Sequence, residues 1–201
     1  MKIEQKIQEL QQWTLKMSSD INENIIRDIF SLMDVKEVIY LTLDYLYAYL
    51  PIFAEHYEGE VPWIRASLKD WMKLRVSAKS SSLDNILSDP HKEMGDVGYL
   101  VALYNMSQAI NTYQNQDELR AKNWVYLSFI EIISVMGYER WAIRNPERHL
   151  IFQNIETEAM EVSEELVNAF DAVYRSDNKR QVYKRSLWQN IIDRLSAISG
   201  K

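Results

Sequence analysis

Apolar residues recur every three to four positions along this chain, and no run of alternating polar and apolar residues bounded by turn signals competes with that pattern. A three-to-four-residue period puts the apolar side chains on one face of a helix, whereas a half-buried strand needs a period of two. Ile3, Ile7, Leu10 and Met17 set the spacing at the start, and Ile21, Ile25, Ile29 and Leu32 continue it. The longest stripe joins Ile151, Ile155, Ala159, Val162, Leu166, Ala169 and Val173. Helix-start signals fall between the stripes. Asp20 with Glu23, Asp34 with Glu37 and Asn115 with Glu118 have the spacing of capping boxes, and Asn145-Pro146 pairs a capping residue with a proline suited to the first turn. The predicted fold is all-α: a single-domain bundle of about eight helices over residues 1–201, with no sheet.

Two segments are apolar on nearly every face and therefore predict central helices that pack together. One holds Val38, Ile39, Leu41, Leu43, Leu46, Tyr47 and Leu50; the other has Leu119, Tyr126, Ile130 and Ile133 on one side and Val125, Phe129, Ile132 and Met136 on another. On the first, Tyr40, Tyr45, Tyr47 and Tyr49 read as packing residues whose hydroxyls reach the helix edges. Pro51 is expected to end or kink it, because proline removes a helical N–H and clashes with the preceding turn. Glu55-His56-Tyr57-Glu58-Gly59-Glu60 then reads as an exposed acidic turn leading to Pro62, and Ile64, Leu68, Trp71 and Arg75 continue in helical register. Residues 77–82, with three consecutive serines, are the expected mobile loop. A short helical turn is expected over Leu83 to Leu87, and Gly95 and Gly98 read as a helix entry. Arg175 to Arg185 is polar, and a last helix carries Leu187, Ile191, Arg194, Leu195 and Ile198.

The chain has no cysteine, which excludes disulfides, thiolate metal sites and a cysteine nucleophile. Its first residues lack the apolar run of a signal peptide, and no stretch of 18 apolar residues follows, so the expectation is a cytoplasmic protein with no membrane span. A formal net charge of −6 disfavours general nucleic-acid binding, which depends on clustered Lys and Arg.

None of the three histidines, His56, His91 and His149, follows a glutamate by three residues, as carboxylate di-iron bundles require, and no zinc-protease histidine pair exists. Ser176-Asp177-Asn178-Lys179 places a serine three residues before a lysine, but the partner motifs of penicillin-interacting enzymes are missing. There is no nucleophile elbow, phosphate loop or dinucleotide-binding glycine pattern. No catalytic residue, metal or cofactor is assigned.

Charge is nonetheless concentrated. Residues 147–171 carry −6, with Glu158, Glu161 and Glu165 on one helical ridge, and residues 175–185 carry +4. Like charges three and four apart repel by a few tenths of a kcal/mol per pair, so something basic facing the ridge would relieve it. The basic segment is one such group, and its Tyr174 and Tyr183 also fit contact with RNA, which the −10 on the rest of the chain opposes.

Leu50-Pro51-Ile52-Phe53 closing a helix, then Arg65, Leu68 and Trp71, then Asn145-Pro146 opening a long acidic helix resemble, in order of elements over residues 35–170, the YjaG-like family of bacterial helical proteins. The chain departs from that pattern at Glu58-Gly59-Glu60, where the family has a Gly-rich turn, and in its basic tail. The resemblance implies an all-α fold and supplies no activity. By type, a small, acidic, cysteine-free helical protein with many aromatics also resembles bacterial immunity proteins that neutralise toxins. On that reading the chain is a non-enzymatic binding module for a basic, nuclease-like partner, with Glu58, Glu60, Trp63, Glu158, Glu161 and Glu165 as contacts. The alternative is a housekeeping regulator or small-molecule binder using Tyr104, Tyr126, Glu131 and Arg75.

Overall fold

A computed structural model of the chain describes residues 2–16, 23–77, 94–142 and 178–199. Among them are seven α-helices, one 3₁₀ turn and no strand. The helices are α1 (Ile3–Lys16), α2 (Glu23–Leu32), α3 (Val35–His56), α4 (Val61–Trp71), α5 (Met94–Gln114), α6 (Glu118–Ala142) and α7 (Asn178–Ser199), and the 3₁₀ turn is Glu58–Glu60. The expected elements over Leu83 to Leu87 and Ile151 to Val173, and the Asp20 cap, lie outside the described residues.

The frame is a helical hairpin. Helices α5 and α6 are joined by residues 115–117 and pack along each other, with small residues where they meet. Helix α5 starts at Met94, as Gly95 and Gly98 predict, and a Cβ on Gly98 would stand 2.4 Å from Val135 Cγ2, so Gly98 is also a site of close helix approach. Nearer the turn, the buried Ser128 hydroxyl donates to the Ala102 carbonyl at 2.7 Å, and Ala109 and Ala121 are fully buried.

The hairpin turn differs from the predicted one in its cap. Helix α6 starts after Asp117, whose Oδ1 accepts from the Arg120 N–H at 3.1 Å, so Asp117 caps it in place of Asn115. Asn115 is taken by the end of α5, its N–H donating to the Asn111 carbonyl at 3.2 Å. The 5→2 bond from Gln116 to Tyr113 and the 6→1 bond from Asp117 to Thr112 make a Schellman ending, with Gln116 left-handed at φ 64°. Leu74, at φ 55°, ends α4 in the same way, with bonds from Leu74 to Trp71 and from Arg75 to Asp70. The Gln114 side chain donates to the Leu74 carbonyl, which ties the two endings together.

Helix α3 packs on both arms of the hairpin, as its apolar circumference predicts. Its start follows the sequence: the Lys36 N–H donates to Asp34 Oδ1 at 2.8 Å, and the Asp34 N–H donates to Glu37 Oε2 at 3.3 Å. Pro51 does not end it, since the helix runs on to His56. Pro51 is exposed while Leu50 and Phe53 beside it are buried, so the proline ring sits on the outer side of a helix held by its inner one. Tyr45 and Tyr49 are buried, Tyr47 is half-buried and Tyr40 is exposed. Tyr45 donates to Asn190 Oδ1 at 3.1 Å, and the Arg194 guanidinium lies 5.1 Å over the Tyr45 ring while pairing with Asp44. Helix α7, which begins at Asn178 and so takes in much of the stretch read as a polar connection, is latched to α3 by these contacts. It buries Leu187, Trp188, Ile191, Ile192 and Leu195 against α1 and α6.

At the loop predicted over residues 77–82, Ser77 is buried and receives a hydrogen bond from the Ser67 hydroxyl at 3.2 Å; residues 78–82 lie outside the described set. No helix among the described residues is long and apolar enough to cross a membrane.

Two opposite substitutions test the hairpin. Gly98→Ala improves helix propensity by about 1 kcal/mol, but the stiff Val135 side chain must move, so a net loss of about 1–3 kcal/mol is expected in urea unfolding. Gln116→Gly relieves left-handed strain at an exposed position and is expected to gain up to about 1 kcal/mol.

A second test is pH. Tyr99 is fully buried, its hydroxyl donates to the Leu46 carbonyl at 3.0 Å, and its ring packs on Tyr49 and Phe53. Burial, with a smaller contribution from Tyr47, pushes the phenol above its usual range. The unfolded chain ionises there at about pH 10 while the fold does not, so this contribution is intact below pH 10 and is lost as pH rises above it. Tyr99→Phe is expected to cost about 1 kcal/mol at pH 7 and to flatten the fall in the urea midpoint between about pH 9.5 and 11.

Candidate functional site

The sequence-predicted contacts on the described residues gather at one place, the knuckle between α3 and α4. Tyr57 leaves the helix at φ −133° and ψ 58°, and its N–H still donates to the Phe53 carbonyl at 3.0 Å. The Tyr57 ring stacks on Phe53 with centroids 5.0 Å apart, and Phe53 is fully buried, which fixes the base of the turn. The Glu60 N–H donates to the Tyr57 carbonyl at 3.0 Å and closes the 3₁₀ turn, after which Pro62 opens α4. A Cβ on Gly59 would meet nothing within 4 Å, so the tip is open.

Within this turn Glu58 is exposed, as is Glu55 one turn earlier, whereas Glu60 and Trp63 are half-buried. The Trp63 indole N–H donates to Glu60 Oε2, so these two predicted contacts are also partners of each other. Glu60 sits at the start of α4, where a carboxylate is favoured by the helix dipole. The knuckle therefore presents Glu55 and Glu58 as its outward carboxylates, on a base that Glu60 and Trp63 brace. Glu158, Glu161 and Glu165 lie outside the described residues.

The residues proposed for an internal pocket differ in exposure. Tyr126 is buried and Tyr104 and Glu131 are half-buried, but Arg75 is exposed at the Schellman ending of α4. The structure shows instead a groove of about 580 Å³ between α2 and the first turns of α6, lined by residues that include Arg27, Phe30, Leu119, Lys122 and Tyr126. The Arg27 guanidinium lies 4.8 Å over the Tyr126 ring, and Lys122 Nζ donates to the Ser31 carbonyl at 3.2 Å. Sequence reasoning missed this site because its two walls are about ninety residues apart in the chain. The one available signal was Leu119, assigned to an apolar stripe and in fact 82 % exposed.

Among the described residues no three His, Asp or Glu side chains converge as a metal site would require. The His56 side chain, His91 and His149 lie outside the described set. No family model, curated protein or solved structure matches the chain.

Replacing Trp63 by Phe keeps most of the packing and removes the bond to Glu60. A loss of about 1 kcal/mol is expected in chemical unfolding, with little change on Glu58→Gln at the exposed tip.

Proposed function

We propose that this chain is a non-enzymatic protein-binding module, and most concretely an immunity-type inhibitor that neutralises a basic, nuclease-like toxin by covering its active site. The observation that carries this reading is the braced knuckle. Glu55, at the end of α3, and Glu58, on the hydrogen-bonded 3₁₀ turn, are exposed, with a half-buried tryptophan in the same knuckle. The hydrogen-bonded turn holds the backbone beside these carboxylates, which steer a basic partner, and an aromatic at the edge of the patch adds apolar contact. The net charge of −6 favours the same partner, and the acidic ridge of Glu158, Glu161 and Glu165 would extend the surface if it faces the same way. The oligomeric state plays no part in this reading.

A second reading, a housekeeping or small-molecule-binding helical protein of the YjaG-like type, draws on the α2/α6 groove, whose volume falls within the range of about 300–1,000 Å³ usual for ligand sites.

Affinity capture from the native lysate separates the two. The unaltered chain is expected to retain one basic protein in stoichiometric amount, and Glu55→Lys/Glu58→Lys to slow its association at least tenfold and to abolish the rise in rate at low salt. Equal retention by the reversed variant would sink the electrostatic reading of the knuckle; a blank with both chains would leave the small-ligand reading standing.

A further inference from the structure

Leucine at the second position of α6 belongs, by its spacing, to the apolar stripe with Tyr126, Ile130 and Ile133, and yet it projects into solvent at 82 % exposure. It stands at the lip of the α2/α6 groove. Phe30 and Tyr126, each 2 % exposed, close the floor, and Ser31 and Asn123 add polar edges.

The charges around this apolar patch do not cancel by pairing. Arg27 and Lys122 both line the groove, and neither has a carboxylate within ion-pairing distance among the described residues. Arg27 uses the face of its guanidinium on Tyr126 and keeps its edge donors. Lys122 donates to the Ser31 carbonyl and has two further N–H groups. Of the two acids in the lining, Asp28 is taken by Lys6 at 3.0 Å, outside the groove's lining. Lys6 is itself shared with Glu9 at 2.8 Å, so Asp28 and Glu118 both place carboxylates beside the two cations. The lining therefore carries two cations and two carboxylates, and Arg27 and Lys122 keep N–H donors that no carboxylate among the described residues takes up.

We propose that this groove is a binding site for a small amphipathic anion, an alkyl or aryl body bearing a carboxylate, sulfonate or phosphate. Arg27 and Lys122 engage the acidic group with charge-assisted hydrogen bonds, and the apolar body lies along Leu119 above the ring floor. The inference deepens the small-ligand reading of the same groove and is independent of the acidic knuckle.

The probe is 8-anilinonaphthalene-1-sulfonate, titrated into the full chain by fluorescence and by amide chemical-shift changes. Neutral N-phenyl-1-naphthylamine is run in parallel, and decanoate and decyl phosphate compete to distinguish a carboxylate from a phosphate head. The expected result is saturable one-to-one binding with shifts centred on α2 and residues 118–126. Arg27→Gln/Lys122→Gln is expected to weaken it about tenfold or more. Glu118→Gln is expected to tighten it, and Leu119→Ser to weaken both probes. Glu118 and Leu119 are exposed, so those two variants carry the test even if the double variant unfolds. Equal affinity for the neutral and charged probes, or no change on Glu118→Gln and Arg27→Gln/Lys122→Gln, overturns the anion assignment while leaving a ligand groove. Saturable binding of neither probe overturns the small-ligand reading of the groove as well.

Discussion

Gly98 lies where the Cβ of any other residue would stand 2.4 Å from Val135 Cγ2, so the distance between α5 and α6 is set by a side chain that is missing. Ala102 and Ser128 keep that approach close further along, and Ser128 adds a buried hydrogen bond across it. Much of the remaining fold uses this hairpin as its wall. Helix α3 packs on both arms, while α2 and α7 pack on α6. A lengthening of the gap at Gly98 is therefore expected to reach the α3 interface, because packed interiors transmit displacement instead of absorbing it.

Local interactions were legible in the sequence, and long-range ones were not. The Asp34/Glu37 box is satisfied by groups within three residues of each other, so its pattern alone identifies it. The continuous apolar circumference of α3 likewise announced a central helix. Pro51 did not end α3, because its cost is local while burial of Leu50 and Phe53 in the shared core holds the helix through it. Leu32 misled because Ile26, Phe30 and Met33 fill the inner face of α2, and Leu32, at 44 % exposure, falls outside their stripe. At the hairpin turn, two polar residues competed to cap α6, and the Schellman bonds at the end of α5 decided for Asp117.

The candidate site divides along the same line. The exposure of Glu58 and Gly59 followed from composition and a nearby proline, whereas Glu60 is half-buried. The pairing of Glu60 with Trp63, three residues apart on a 3₁₀-to-α junction, depends on a geometry that spacing alone does not distinguish from two independent surface groups. The groove required knowing that α2 and α6 are neighbours, for which no pattern within either helix gives a sign.

These two surfaces offer different charged groups, outward carboxylates at the knuckle and free cationic donors at the groove. The knuckle follows the end of α3, and the groove is built partly on α2, which leads into its start. Helix α3 has 22 residues and is about 33 Å long. Exposed charges separated by much of that length interact weakly at physiological salt, where the screening length is about 8 Å. A net charge of −6 therefore describes the long-range field of the chain and not the local chemistry of the groove. On the readings proposed above, a basic partner would meet Glu55 and Glu58 at the knuckle and an anion would meet Arg27 and Lys122 at the groove, each within a field set by its immediate neighbours. An anion held by Arg27 and Lys122 would also bridge α2 to α6 from the outside, stabilising an interface that Phe30 already makes from within through its contacts with Tyr126 and Phe129.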